Sequence, residues 1–161
     1  MHLPLSPPQL ESLVRVAVEW VSEQQERVLR DGVPLSIREL SDALRVGVKD
    51  PERVRLLQVE SIPAPTHPAL KAMGNLVPGM PRGLTVQYGV FVRSDQWRNR
   101  ALIVHELVHT SQYERLGGIE PFLRQYLWEC TTVGYNQSAM EAEAVNTSAR
   151  LLENANINLL T

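Results

Sequence analysis

Residues 101–109, Ala101-Leu-Ile-Val-His-Glu-Leu-Val-His109, are apolar at every position except His105, Glu106 and His109. A helix that is apolar nearly all round belongs in a core. An ionised carboxylate and two imidazoles are unfavourable there unless something pairs with them. A divalent cation is such a partner. Residues four apart stack on one helix face, so His105 and His109 can reach the same ion. Glu106 lies about a hundred degrees round the helix, away from the ion but able to touch a water beside it. This is the HExxH arrangement of two ligands and a general base. The same pattern also arises by accident, usually on exposed charged helices. Here the flanks are apolar, and two of the chain's four histidines fall inside it.

Helical periodicity extends around this stretch. It predicts a helix from about Ser94 to Leu116, closed by Gly117-Gly118 as a left-handed helix end. A second helix opens at Ile119 with Pro121 in its first turn and ends at Gly134. Its apolar face carries Phe122, Leu123, Tyr126, Leu127, Cys130 and Val133. A last helix runs from Ser138 to about Asn156. Upstream, residues 84–93 read as one strand, with Gly89 as a bulge or a point of close backbone approach. Residues 54–62 read as another strand, ending at Pro63. Proline-rich loops follow it, with a helical turn near residues 69–73 and loop markers at Pro78, Gly79, Pro81 and Gly83. A long amphipathic helix spans about residues 8–30, and Ser36-Ile-Arg-Glu39 has the form of a capping box for a short one. These two helices read as cover for the core, or alternatively as a small interaction arm.

A catalytic zinc site takes three protein ligands and leaves a fourth position for water. His2 is terminal and His67 lies in a proline-rich loop, so the third ligand is expected to be a downstream carboxylate. Glu129, Glu141 and Glu143 are the candidates. At about a hundred degrees per residue, Glu141 shares a face with Ala144, Val145, Ser148 and Leu152, whereas Glu143 points the other way. Glu141 is favoured, with Glu129 and Glu143 as alternatives. Ser138-Ala-Met-Glu141 also has capping-box form, which offers Glu141 a rival role. Glu129 can instead orient a ligating histidine, and Gln112, one turn beyond His109, can bond substrate or that histidine unless it is an exposed helix-end residue.

His105-Glu106-xx-His109 followed by Glu141-Ala-Glu-Ala144 resembles the gluzincin metallopeptidases, whose third ligand is a glutamate on a later helix. HELVHTSQYERLGG, FLRQYLWE, GY and EAEA look more narrowly like small bacterial HExxH proteins, and the likeness covers roughly residues 84–149. It implies an α+β, mostly helical, zincin-like single domain over residues 1–161, with a small sheet packed on the active-site helix. Residues 1–50 form its N-terminal helical part, and residues 54–161 the sheet, the HExxH helix and the C-terminal helices. The resemblance also implies that 84–93 is an edge strand able to pair with an extended peptide; an ordinary core strand is the alternative. In gluzincins the ligand glutamate often opens E-x-x-A-D. Val145 stands where the acid would be, so one ligating histidine lacks its usual orienter, a role that Glu129 can take.

The expected activity is hydrolysis of peptide bonds in a peptide or protein substrate, with zinc (Zn2+) as cofactor and Glu106 as general base acting on a metal-activated water. Tyr113, Tyr126, Tyr135 and Arg124 are available as oxyanion donors. Tyr135 is preferred because it lies in the turn that delivers Glu141, while Tyr126 reads as a packed core tyrosine. A catalytically silent, zinc-stabilised binding or scaffold protein is the alternative, and a helical regulatory module with an incidental motif is a third reading. Net charge is −2, so no basic field exists to hold nucleic acid. No apolar run is long enough for a membrane span and the start lacks a secretory signal, which predicts a cytoplasmic protein. One cysteine, Cys130, leaves no internal disulfide framework and reads as a small buried hydrophobe. Oligomeric state has no signature in the sequence.

Overall fold

The computed structural model describes residues 5–74 and 79–158; His2 and Pro78 lie outside them. Helix α1 (Pro7–Asp31) opens with a capping box in which the Ser6 amide donates to Gln9 Oε1 (2.8 Å) and the Gln9 amide to Ser6 Oγ (3.4 Å). Strand β1 (Val33–Pro34) follows, then α2 (Ile37–Arg45), whose Ser36–Glu39 capping box forms as the sequence predicts. Next come β2 (Arg55–Val59), α3 (Pro68–Gly74), β3 (Gly83–Val86) and β4 (Gly89–Arg93). Helices α4 (Arg100–Leu116), α5 (Ile119–Thr132) and α6 (Ala139–Asn158) complete the chain. The protein is therefore mostly helical with a small mixed sheet, an α+β arrangement. No described helix is long and apolar enough to cross a membrane.

The sheet order is β1-β2-β4-β3. Strands β2 and β4 run parallel, with Leu56 opposite Val90; the outer pairs are antiparallel. Side chains alternate along β4. Val90 and Val92 pack with Ile103, Val104, Leu107 and Val108 of α4, while Phe91 packs with Leu13, Val14 and Ala17 of α1. The sheet is thus covered on both faces, which explains the nearly continuous apolar run in β4. α1 forms one of those layers and packs against α5, so it is core cover and not a projecting arm.

Three expectations change. Residues 84–93 are two strands, not one. They form a hairpin in which Val86 pairs with Gly89 around Gln87 and Tyr88, and Gln87 takes φ 62°. Two-residue hairpin loops need positive φ, normally marked by glycine or asparagine. Glutamine hides the turn, and the Thr110 hydroxyl of α4 holds it by donating to Gln87 O (2.8 Å). Gly89 is a close approach as expected, because a Cβ there would meet Val28 Cβ at 2.8 Å. The helix predicted from Ser94 begins only at Arg100. The chain makes a 3-10 turn over Ser94–Gln96, Arg98 takes φ 61°, and the Asn99 side chain caps the helix by accepting from the Leu102 amide (3.3 Å). The second predicted strand ends at Val59, short of residue 62.

Candidate metal centre

Helix α4 is buried along its middle, with His109 and Glu106 almost inaccessible and His105 a fifth exposed at its side chain. Their rings meet edge to face with centroids 5.0 Å apart. Packing of α6 along α4 brings Glu141, in the first turn of α6, over both rings. His105 Nε2 lies 3.3 Å from Glu141 Oε2, and His109 Nε2 lies 3.4 Å from Glu141 Oε1. One donor atom from each of the three residues lies within 4.8 Å of the others, and this is the one such group among the described residues. An ion with tetrahedral bonds of about 2.0–2.1 Å needs donors about 3.3–3.4 Å apart. The two histidine–glutamate distances are close to that value, each to a different oxygen of Glu141, so two nitrogens and a carboxylate here can hold a divalent cation. His105 is the one member of the group that reaches solvent.

Without an ion, Glu141 and His109 favour each other's charged forms. Burial by itself would raise the Glu141 pKa, but hydrogen bonds to His105 and His109 more than offset it and hold the carboxyl well below its ordinary range. Burial would likewise lower His109; the Glu141 carboxylate, then the charge on Glu106, outweigh it and push the imidazolium up to about 9. A proton on His109 thus occupies the place of a cation.

The alternatives to Glu141 are engaged elsewhere. Glu129 Oε2 accepts from the Ser138 hydroxyl (2.6 Å) and the Met140 amide (3.1 Å), so it caps the start of α6. It neither joins the three-donor group nor orients a histidine, contrary to both roles considered for it. Only half of the Ser138–Glu141 capping box forms: the Glu141 amide donates to Ser138 Oγ (3.3 Å), while its carboxylate turns to the histidines. Glu143 is clamped by Arg115 (3.0 and 2.8 Å) and also lies outside the group. Val145, expected on the inward face, is 55% exposed, because the buried stripe of α6 is Met140, Glu141, Ala144, Ser148 and Leu151. That stripe centres between Ala144 and Ser148 and leaves Val145 about ninety degrees off. Val133, placed on the apolar face of α5, is likewise exposed at the helix end.

The structure supplies partners that the sequence reading missed or undervalued. Gln112 is fully buried, not an exposed helix-end residue, and its Oε1 lies 2.8 Å from His109 Nδ1. The Tyr126 hydroxyl donates to Glu141 Oε1 (2.8 Å), so Tyr126 is more than a packed core ring. His109 also packs edge-on against Tyr126 and Phe122. Thr85 of β3 donates its hydroxyl to Glu106 Oε2 at 2.5 Å. No local signal in the sequence marks Thr85, since the contact crosses from strand to helix.

Among the proposed oxyanion donors, Tyr113 is stacked on Phe122 in the core and Arg124 is paired with Glu11 and Glu120. Tyr135 lies in the 3-10 turn Tyr135–Gln137 before α6. Burial, followed by the charges of Glu141 and Glu106, pushes its phenol up, so it keeps its proton and remains able to donate. Cys130 is buried, and desolvation, then Glu141 and Glu129, push its thiol up to about 12; it is no nucleophile.

Gly83 allows β3 to pass over Glu106. A Cβ at residue 83 would lie 2.9 Å from Glu106 Oε1 and 3.2 Å from its Cδ. Gly83→Ala is therefore expected to displace the Glu106 carboxylate from Thr85 and lower any Glu106-dependent activity, on the order of tenfold or more. Metal binding by the three donors should stay within a few-fold of wild type. Paired kinetic and metal-binding titrations check this, and unchanged kinetics would contradict the close approach.

The chain matches no protein-family model, no curated protein and no solved structure.

Proposed function

We propose that this protein is a zinc-dependent peptidase on a zincin-like fold, with His105, His109 and Glu141 as the ligands. The observation that carries this reading is the three-donor group, one atom from each residue within 4.8 Å of the others, with the neighbouring Glu106 turned to Thr85 and left free of the donor set. Three protein donors, two nitrogens and a carboxylate, suit catalytic zinc better than a four-ligand structural site. When bound, zinc supplies Lewis acidity that activates water and polarises a carbonyl.

The chain's own residues do the rest. Glu106, held by Thr85, accepts a proton from the attacking water and returns it to the leaving amine. Tyr135 keeps its phenolic proton and serves as the donor to charge developing on the carbonyl oxygen. Strand β3 is at the sheet edge beside Glu106, where its outer backbone groups can add an extended peptide as a fifth strand. Main-chain pairing of this kind reads length and extension more than sequence, so the reading fits a peptide or an unfolded protein segment.

Removing and restoring the metal tests the proposal. Protein purified without added zinc is expected to carry or take up one zinc per chain. Chelation should abolish cleavage of a mixed peptide library, and stoichiometric zinc should restore it. Failure to bind zinc overturns the site. Zinc binding without cleavage overturns the peptidase reading and leaves a zinc-stabilised binding protein.

A further inference from the structure

The His109 ring has one neighbour on its Nδ1 side that no HExxH spacing demands. Gln112 Oε1 is 2.8 Å from His109 Nδ1. A side-chain amide can present either its oxygen or its nitrogen, so the direction must be argued from its other contacts. The Gln112 Nε2 group donates to Met140 O (2.9 Å) and to Glu143 Oε2 (3.1 Å). Both partners only accept. Flipping the amide would set its oxygen against a carbonyl and a carboxylate, losing two hydrogen bonds in a fully buried place. Arg115 fixes Glu143 from outside with two charge-assisted bonds. The amide oxygen therefore faces His109.

An oxygen that can only accept requires a proton on Nδ1 of the ring. Neutral His109 is then left with its lone pair on Nε2, the atom aimed at Glu141. We infer that Gln112 is the positioning residue that sets the tautomer and ring orientation of His109, taking the place of the carboxylate expected where Val145 stands. This rests on the metal site proposed above. A histidine ligand commonly donates its second N–H to a carboxylate, a carbonyl or water. Here the acceptor is a neutral amide, so orientation is obtained without adding negative charge to the donor set. The chain Arg115–Glu143–Gln112–His109 also ties α4 to α6, fixing the ligating ring with the same contacts that deliver Glu141.

Two measurements test this. First, zinc affinity is read by competition with a chromogenic chelator. Gln112→Met, of similar length but without an acceptor, is expected to bind roughly 10–100-fold more weakly than wild type. Gln112→Glu combined with Glu143→Gln keeps an acceptor facing His109 and gives its second oxygen a donor at residue 143, but loses the bond to Met140 O, and should recover part of that loss. Second, proton–nitrogen spectra of the imidazoles are recorded on the metal-free protein at about pH 6, where Glu141 faces Nε2 and the Nδ1 proton alone reports on residue 112. Wild type should show a downfield, slowly exchanging Nδ1–H on His109, and in Gln112→Met that signal should move upfield or vanish. Undiminished affinity in Gln112→Met, or a wild type with no protected Nδ1–H, overturns the inference. A wild type that binds no zinc defeats the metal site alone, and the Nδ1–H spectrum still decides the role of Gln112. Should Gln112→Met fail to fold, the wild-type spectrum and the paired variant decide it.

Discussion

Glu106→Gln is expected to lower peptide hydrolysis by about 10²–10⁴-fold while one zinc per chain is still bound. The substitution keeps the shape of the side chain and an oxygen for the Thr85 hydroxyl, which donates to the carboxylate at 2.5 Å. It removes only the basicity. Glu106 contributes no atom to the three-donor group, so zinc affinity should change by a few-fold at most. Nor should the fold suffer, because replacing a buried carboxylate by a neutral amide relieves desolvation. The loss corresponds to about 3–5 kcal/mol of transition-state stabilisation at 1.36 kcal/mol per tenfold. Steady-state rates and bound-metal analysis on the same preparations separate the two effects. Equal rates in variant and wild type would remove Glu106 from the chemistry.

Removal of the third donor acts on both metal binding and stability. Glu141→Ala takes away the residue on which both imidazoles converge, and zinc affinity should fall by several orders of magnitude. In the metal-free protein it also strips a buried imidazolium of its partner. Breaking a buried pair from one side typically costs roughly 3–5 kcal/mol, and less where the histidine can escape by losing its proton. The sign of the pH dependence follows from the two shifts. His109 is raised from 6.5 to about 9, so its contribution is complete below pH 6.5 and disappears as pH rises through about 9. Glu141 is lowered from 4.5, so its contribution is complete above pH 4.5 and is lost as pH falls well below that value. The stability deficit of Glu141→Ala should therefore be largest between about pH 4.5 and 6.5 and shrink toward pH 9–10. Zinc affinity of the wild type should rise with pH up to about 9, because the ion displaces the His109 proton. Denaturant melts of both metal-free proteins at pH 5.5 and 9.5 give the comparison. A deficit that does not depend on pH would contradict the imidazolium–carboxylate pair.

Several parts of this molecule were legible along the chain, for reasons confined to one turn of helix. Four-residue spacing puts His105 and His109 on one face whatever surrounds them. Ser36 and Glu39 cap α2 as their spacing requires, and Gly117 takes the left-handed conformation that ends α4. Helical phase selected Glu141 over Glu143 because two residues, at about a hundred degrees each, put them on opposite sides of the helix. The same rule misplaced Val145, since phase gives relative angles and not the direction of the neighbouring layer.

What the sequence by itself determined is therefore a set of short-range relations: the apolar helix carrying two imidazoles and an acid, its caps, and the side of α6 on which Glu141 lies. Tertiary packing alone decided which groups meet across elements. It placed Glu141 within 3.3–3.4 Å of both rings and turned Glu129 into a cap for α6. It also buried Gln112 against His109, laid Thr85 over Glu106, and folded residues 83–93 into a hairpin without a glycine in its turn. The contacts of Glu141 with both rings, of Thr85 with Glu106 and of Gln112 with Met140 and Glu143 join residues far apart in the chain, and their partners are set by how the α4, α6 and β3 surfaces dock. Helical and strand periods fix angles within an element, whereas docking depends on the shape and burial of whole faces, which no local spacing encodes.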